Sequence, residues 1–270
     1  MPESVARLES PVLRELRRLA VALGYFTRIP VPARIGGSAD ELNRAARYFP
    51  LVGLLVGAAA AVTLVVVALM LPLSLAVIAS MAVSLALTGA LHEDGLADAV
   101  DGFGGGWDKA QVLAIMKDSR IGAYGAIALV LALLAKYAAL SELASAGTAG
   151  AAVGLLIAHP LSRAAVLGIM AALPYVRIEG ESRARPLTEG LGPAEWATGI
   201  ALGGAPLALA ASLGLVSFER SLVILGTVVC VALACAWRFR RRIGGYTGDC
   251  LGATQQFCEI GIYAAFLAHT

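Results

Sequence analysis

Charge is what this chain has least of. Only 15% of its 270 residues are Asp, Glu, Lys or Arg, against 59% hydrophobic, where a soluble domain carries about 25% charge and about 45–50% apolar residues. With a mean hydropathy of +0.78, the apolar excess is more than a core of this size can absorb, which excludes a soluble domain and puts most of the chain against lipid. Aromatics reach only 6%, too few for the girdles of a β-barrel. The dominance of Ala, Leu, Val and Gly instead suits helices that approach closely in a bilayer. The four cysteines, Cys230, Cys235, Cys250 and Cys258, show neither CxxC nor Cys/His spacing, so neither a disulfide framework nor a zinc site is expected. Cys230 and Cys235 lie in an apolar run and read as small buried hydrophobes. The Arg-rich start lacks the continuous apolar run and small-residue cleavage site of a secretory signal. The net charge of +2 is unremarkable, and no nucleic-acid partner is expected.

What the chain does have is long apolar runs. A spanning helix needs about 20 mostly apolar residues, and about seven runs qualify: Pro50–Leu71, Leu73–Leu91, Gly122–Leu140, Ala149–Leu173, Trp196–Val216, Ser221–Trp237 and Gln255–His269. Pro72 alone separates the first two, which predicts a tight helical hairpin. The expected fold is all-α, a polytopic integral membrane helical bundle forming one catalytic domain over 1–270. Its first part, 1–49, places Val12, Leu13, Leu16, Leu19, Ala20 and Leu23 at helical spacing between Arg14, Arg17 and Arg18. That pattern fits an amphipathic helix, lying in the membrane interface or packed on the loops.

The basic residues orient the bundle. Eight arginines precede Pro50. Lys109, Lys117 and Arg120 follow the second run, and Arg177, Arg183 and Arg185 occupy the next connection on that side. Arg238, Arg240, Arg241 and Arg242 occupy the last, whereas the opposite connections hold only Arg220. Basic loops stay in the cytoplasm. The expectation is a multi-pass protein of a bacterial inner membrane with its N-terminus cytoplasmic and its C-terminus outside. The connections 92–121, 174–195 and 238–254 then share the cytoplasmic face.

One of them carries His92-Glu93-Asp94-Gly95-Leu96-Ala97-Asp98-Ala99-Val100-Asp101-Gly102. Asp94, Asp98 and Asp101 stand at i, i+4 and i+7 and share one helical face. Bare carboxylates so placed repel one another, and a hard cation removes the conflict: oxygen-only ligands suit Mg²⁺ or Mn²⁺, with substrate phosphates completing the shell. Glu93 falls off that face. Downstream, Asp118 could complete the metal site while Lys117 and Arg120 grip phosphate oxygens. The run from Gly244 to Ala253 sets Thr247 and Asp249 in a glycine-rich turn, either presenting polar groups to a ligand or simply capping a helix. Within the apolar runs Lys136, His159, Arg163 and Glu259 are costly; Glu259 and Arg163 could pair or line a cavity, and Lys136 could snorkel. Carboxylates, a divalent metal and basic groups at one membrane face point to phosphoryl or phosphodiester transfer.

The segments LHEDGLADAVDGFGGGW and IMKDSRIGAYG resemble the signature of the cobalamin synthases, adenosylcobinamide-GDP ribazoletransferases. The segment Tyr25–Pro32, the run Arg47–Gly53 and the stretch Gly245–Ala253 extend the resemblance over nearly the whole chain. It implies a late step of cobalamin biosynthesis in which adenosylcobinamide-GDP is joined to α-ribazole or its 5′-phosphate, releasing GMP, with Mg²⁺ required. The piece Asp98–Gly102 is also similar to the CDP-alcohol phosphotransferases. On this reading Asp94, Asp98 and Asp101, with Asp118 or Asp249, hold metal, and one aspartate, Asp101 or Asp249, acts as general base. His92, Lys117, Arg120, Arg183, Arg185 and Thr247 are the substrate-binding candidates. A lipid-linked CDP-alcohol phosphotransferase and a secondary transporter are the alternatives, the latter disfavoured by the lack of internal repeats. Homo-oligomerisation is left open.

Overall fold

The computed structural model describes residues 10–32, 35, 39–176 and 191–268. Among the described residues the only β pairing is an isolated bridge between Tyr175 and Tyr246, and the rest is an all-α bundle of a membrane protein.

Helix α1 (Pro11–Phe26) begins at Ser10, whose side chain accepts the Leu13 N–H, with Pro11 in the first turn where a missing donor costs nothing. It buries Arg18, Ala22 and Phe26 and leaves Val12, Leu13 and Leu16 exposed, the two-faced helix expected of the N-terminal segment. Helix α2 (Ala39–Ala45) runs through a 3₁₀ turn (Ala46–Tyr48) into α3 (Phe49–Ala68). On α3, Gly53 and Gly57 face α8 (Thr148–Ala172): a Cβ on Gly53 would lie 2.5 Å from the His159 carbonyl oxygen, and one on Gly57 2.7 Å from that of Leu155. Small residues four apart let the two backbones touch, where dispersion rather than water exclusion drives association. Helix α4 (Leu73–Thr88) turns back along α3 after Pro72, pinned by the Ser80 hydroxyl donating 2.8 Å to the Ala60 carbonyl.

Helix α4 stops earlier than its apolar run predicts. Gly89 (φ 63) and Ala90 (φ 58) are both left-handed, and α5 (Leu91–Gly105) departs at 85°. The Arg28 guanidinium fills the space where a Gly89 side chain would stand. The acidic motif therefore lies on a helix, and α6 (Lys109–Lys117) continues it, so little of 92–121 is loop.

Among the described residues four helices are long and apolar enough to cross a membrane: Glu41–Ala68, α7 (Ala123–Ser145), α8 and α10 (Phe218–Ile243). The bent pair α4 and α5 adds a fifth if it is one span, beside about seven apolar runs in the sequence. The helices that fall short are α9 (Pro193–Ser212) and α11 (Gly248–Leu267). The second is largely enclosed, with Gln255, Gln256, Glu259 and Tyr263 buried and Phe257 on a narrow exposed stripe, and a helix with so small an outer face needs no uniform apolarity. Arg220 near the start of α10 donates 2.9 Å to the carbonyls of Ala265 and Phe266 at the end of α11, so these helices are antiparallel. The turn joining them at the other end is only 244–247. Cys235 is buried as expected, whereas Cys230 is exposed on α10.

Candidate active site

The face of α5 rotates from solvent into the bundle. Asp94 is exposed, Asp98 half-buried and Asp101 buried. The charges of Asp94 and Asp101 both act on Asp98, as the i, i+4, i+7 spacing requires. Their bonding differs. Asp101 Oδ2 accepts the Gly122 N–H at 2.7 Å and Oδ1 the Gly125 N–H at 2.9 Å. It thus caps the positive N-terminal end of α7 with both oxygens. A side chain at Gly122 or Gly125 would run into this carboxylate. Each Asp101 oxygen therefore already accepts one backbone N–H, and a lone pair remains on each. Asp94 and Asp98 accept no hydrogen bond among the described residues.

Close backbone contact brings α11 beside this face. A Cβ on Gly95 would lie 3.2 Å from the Asp249 Cα, and one on Gly252 3.1 Å from the Gly95 Cα and from the His92 carbonyl oxygen. Asp249, in the first turn of α11, thereby sits against α5. Thr247 is the N-cap: its Oγ1 accepts the Cys250 N–H at 3.3 Å and donates to Asp249 Oδ2 at 3.4 Å. Of the two sequence alternatives for this turn the structure has the helix cap, whose threonine also contacts an aspartate. Its left-handed Gly244 (φ 80) closes α10, and Tyr246 exchanges backbone hydrogen bonds with Pro174 (3.0 Å) and Val176 (2.8 Å). Burial, with Tyr175 alongside, pushes the Tyr246 hydroxyl up to about 12. The segment after α8 is thus tied to the turn, while Arg183 and Arg185 lie outside the described residues.

Asp118 and Arg120, read from sequence as separate ligands of metal and phosphate, form a pair. Arg120 Nε and a terminal nitrogen donate to both Asp118 oxygens, at 3.0 and 2.6 Å, and the Arg120 N–H adds a third bond at 3.1 Å. These bonds hold the Asp118 carboxyl down at about 2. Lys117 ends α6 and is exposed. His92 is buried, its ring stacked 5.8 Å from Phe26 of α1. The arginines of α10 have a use the sequence did not disclose: Arg242 donates to the carbonyls of Phe103 and Gly106, and Arg238 to that of Phe103 at 3.4 Å. They cap the negative end of the acidic helix.

Sequence reasoning set Glu93 aside, yet it stands 3.6 Å from Lys136. Lys136 is buried, not snorkelling, and its closest partner is Glu259 at 2.9 Å. Arg163 donates to the His159 carbonyl rather than pairing with Glu259. Among the described residues no group of three or more His, Cys, Asp or Glu side chains is assembled as a metal site.

The family described as Cobalamin-5-phosphate synthase matches residues 18–267. The chain belongs to this family. It is 45% identical over 254 residues to the adenosylcobinamide-GDP ribazoletransferase of Shewanella sp. (strain W3-18-1), covering 94% of this chain and 95% of that protein. The protein of the same name from Ralstonia nicotianae is 46% identical over 264 residues (96% and 98%). That of Leptothrix cholodnii is 43% identical over 259 residues (95% and 97%). No solved structure matches the chain.

Proposed function

We propose that this chain joins adenosylcobinamide-GDP to α-ribazole, or to its 5′-phosphate, giving adenosylcobalamin or its 5′-phosphate and GMP. The reaction takes place at the cytoplasmic face of a bacterial inner membrane, the side on which the basic connections collect. The observation that carries this reading is the pair of unpartnered carboxylates, Asp94 and Asp98, on a helix whose Gly95 meets the backbone of Asp249, in a chain of this family.

The donor chemistry fits a hard cation. Two carboxylates without hydrogen-bond partners match the way Mg²⁺ is held by one or two carboxylates plus substrate phosphates. Asp94 and Asp98 would hold Mg²⁺ or Mn²⁺, with Asp249 the next candidate. When bound, the cation neutralises charge on the diphosphate and on departing GMP.

The ribazole hydroxyl oxygen attacks the corrinoid-side phosphorus. The new P–O bond forms as the anhydride P–O bond to the guanosine-side phosphate breaks, and GMP leaves with that bridging oxygen. The hydroxyl proton passes to a carboxylate, Asp249 or Asp101, the latter also holding α7 with both oxygens. Thr247 orients Asp249 from within the same turn. Lys117 supplies positive charge to the diphosphate. Arg120 can do so only by exchanging the Asp118 carboxylate for phosphate oxygens, a swap between two acceptors its planar fork suits equally. Arg183 and Arg185 complete the proposed cationic set.

Purified protein in detergent, given adenosylcobinamide-GDP, α-ribazole and Mg²⁺, should release GMP, and a CDP-alcohol donor should yield no CMP. CMP release with no GMP release would assign the chain to lipid-headgroup transfer instead; no turnover of either donor would contradict an enzyme.

A further inference from the structure

On the far side of the acidic helix lies a buried set of charges that the transfer reaction does not use. Glu93, the residue before Asp94, accepts a 2.9 Å hydrogen bond from Gln256 of α11 and stands 3.6 Å from Lys136 of α7. Lys136 is 2.9 Å from Glu259, one turn further along α11, and Glu259 also accepts from Gln255 and, at 3.3 Å, from Tyr263. Lys136 is 6% exposed and Glu259 3%. A cavity of about 10 Å³ beside Glu93, Lys136 and Glu259 has room for one water.

Such a network is a poor way to gain stability. Desolvating buried ions costs several kcal/mol each, and apolar side chains of the same shape often serve as well. Its physical advantage is that it accepts only one arrangement of the helices. A helix turns by about 100° per residue, so if α5 slipped by one position Glu93 would lose both partners inside the bundle. Glu93 and Asp94 are adjacent, and fixing one fixes the direction of the other. Gln256 lies two turns, about 10 Å, from Asp249 on the same face of α11, and fixing Gln256 fixes Asp249.

We propose that Glu93, Lys136 and Glu259 are positioning residues that lock α5 against α11, so that Asp94, Asp98 and Asp249 meet the diphosphate as one set. The inference rests on the transfer reaction proposed above. None of the three residues touches substrate.

The test uses Glu93→Gln, which keeps an acceptor for Gln256 and leaves Lys136 paired with Glu259, so that the chain can fold. It is accompanied by Lys136→Met and by the conservative Lys136→Arg. Monodisperse protein, thermal unfolding, kcat and the KM for the corrinoid donor are measured for each. Glu93→Gln is expected to unfold near the wild-type temperature yet lose about 10–100-fold in kcat, the penalty of a small misplacement, with KM little changed. Lys136→Met loses more, and Lys136→Arg recovers most of the kcat. Wild-type kcat in folded Glu93→Gln, or equal impairment of the Met and Arg variants, overturns the positioning role. So does a loss of activity that only tracks the loss of folded protein. If wild-type protein itself releases no GMP, the transfer reading falls and this inference with it; if only the variants disagree, the inference falls alone.

Discussion

Gly95 of α5 and Gly252 of α11 meet back to back, so closely that a Cβ on Gly252 would lie 3.1 Å from the Gly95 Cα. This contact brings the backbone of Asp249 against α5 at Gly95, the residue after Asp94. The neighbours of both glycines are backbone atoms, which cannot swing aside. Gly252→Ala should therefore push α5 away from α11, costing about 1–3 kcal/mol as over-packing does. It should also reduce GMP release per folded molecule. Thermal unfolding alongside the activity assay checks both; unchanged values would mean the helices have slack between them.

Asp101 and the amide groups of Gly122 and Gly125 yield a second prediction. An asparagine side chain in place of this carboxylate can accept with one oxygen only, leaving a buried N–H of α7 without a partner, at about 1–3 kcal/mol. Asp101→Asn should lower the unfolding temperature measurably. Asp94→Asn, at an exposed carboxylate without a hydrogen bond, should not. Equal unfolding temperatures for wild type and Asp101→Asn would refute the cap.

The Asp118–Arg120 pair predicts coupling and a pH signature. In a double-mutant cycle, Asp118→Asn with Arg120→Gln should be no worse than the more damaging single change, because each residue's main partner is the other. The Asp118 carboxyl is held at about 2, below the ordinary aspartate value near 4. A depressed carboxylate contributes its stability above the unfolded value and loses it as pH falls through the folded one. The difference between wild type and Arg120→Gln should therefore be present at pH 6 and close between about pH 4 and pH 2. The pair is exposed, so added salt should shrink the difference. A pH-independent difference would contradict the pairing.

Helix α1 exposes Leu13 at 58% beside Arg14. A fluorophore on a cysteine at position 13, in a chain whose native cysteines are replaced, should be quenched more strongly by shallow nitroxide lipids than one at position 14. Equal quenching would show that α1 does not lie on the bilayer.

The bundle was legible in sequence because apolar runs of about 20 residues have few other uses. Hydropathy, however, measures transfer to lipid and is blind to the sign of φ, so Leu73–Leu91 read as one span although Gly89 and Ala90 break it. It also overlooked that α11, largely enclosed by its neighbours, needs no uniform apolarity. Helical periodicity correctly grouped Asp94, Asp98 and Asp101, a relation set within one element. It could not separate the two unpartnered carboxylates from the committed one, because the partners of Asp101 lie 21 and 24 residues on. Arg238 lies 135 residues from Phe103, and no local spacing announces that cap. Glu93 was passed over for the same reason: its value comes from Lys136 and Gln256 on other helices.

The central claim, that the unpartnered carboxylates of α5 serve the transfer, is tested most directly by GMP release from adenosylcobinamide-GDP by Asp98→Asn in the presence of α-ribazole. Folded, membrane-inserted variant should lose activity by about 10²–10³-fold, the scale for removing one group that stabilises transition-state charge. Wild-type rates from that protein would contradict the account.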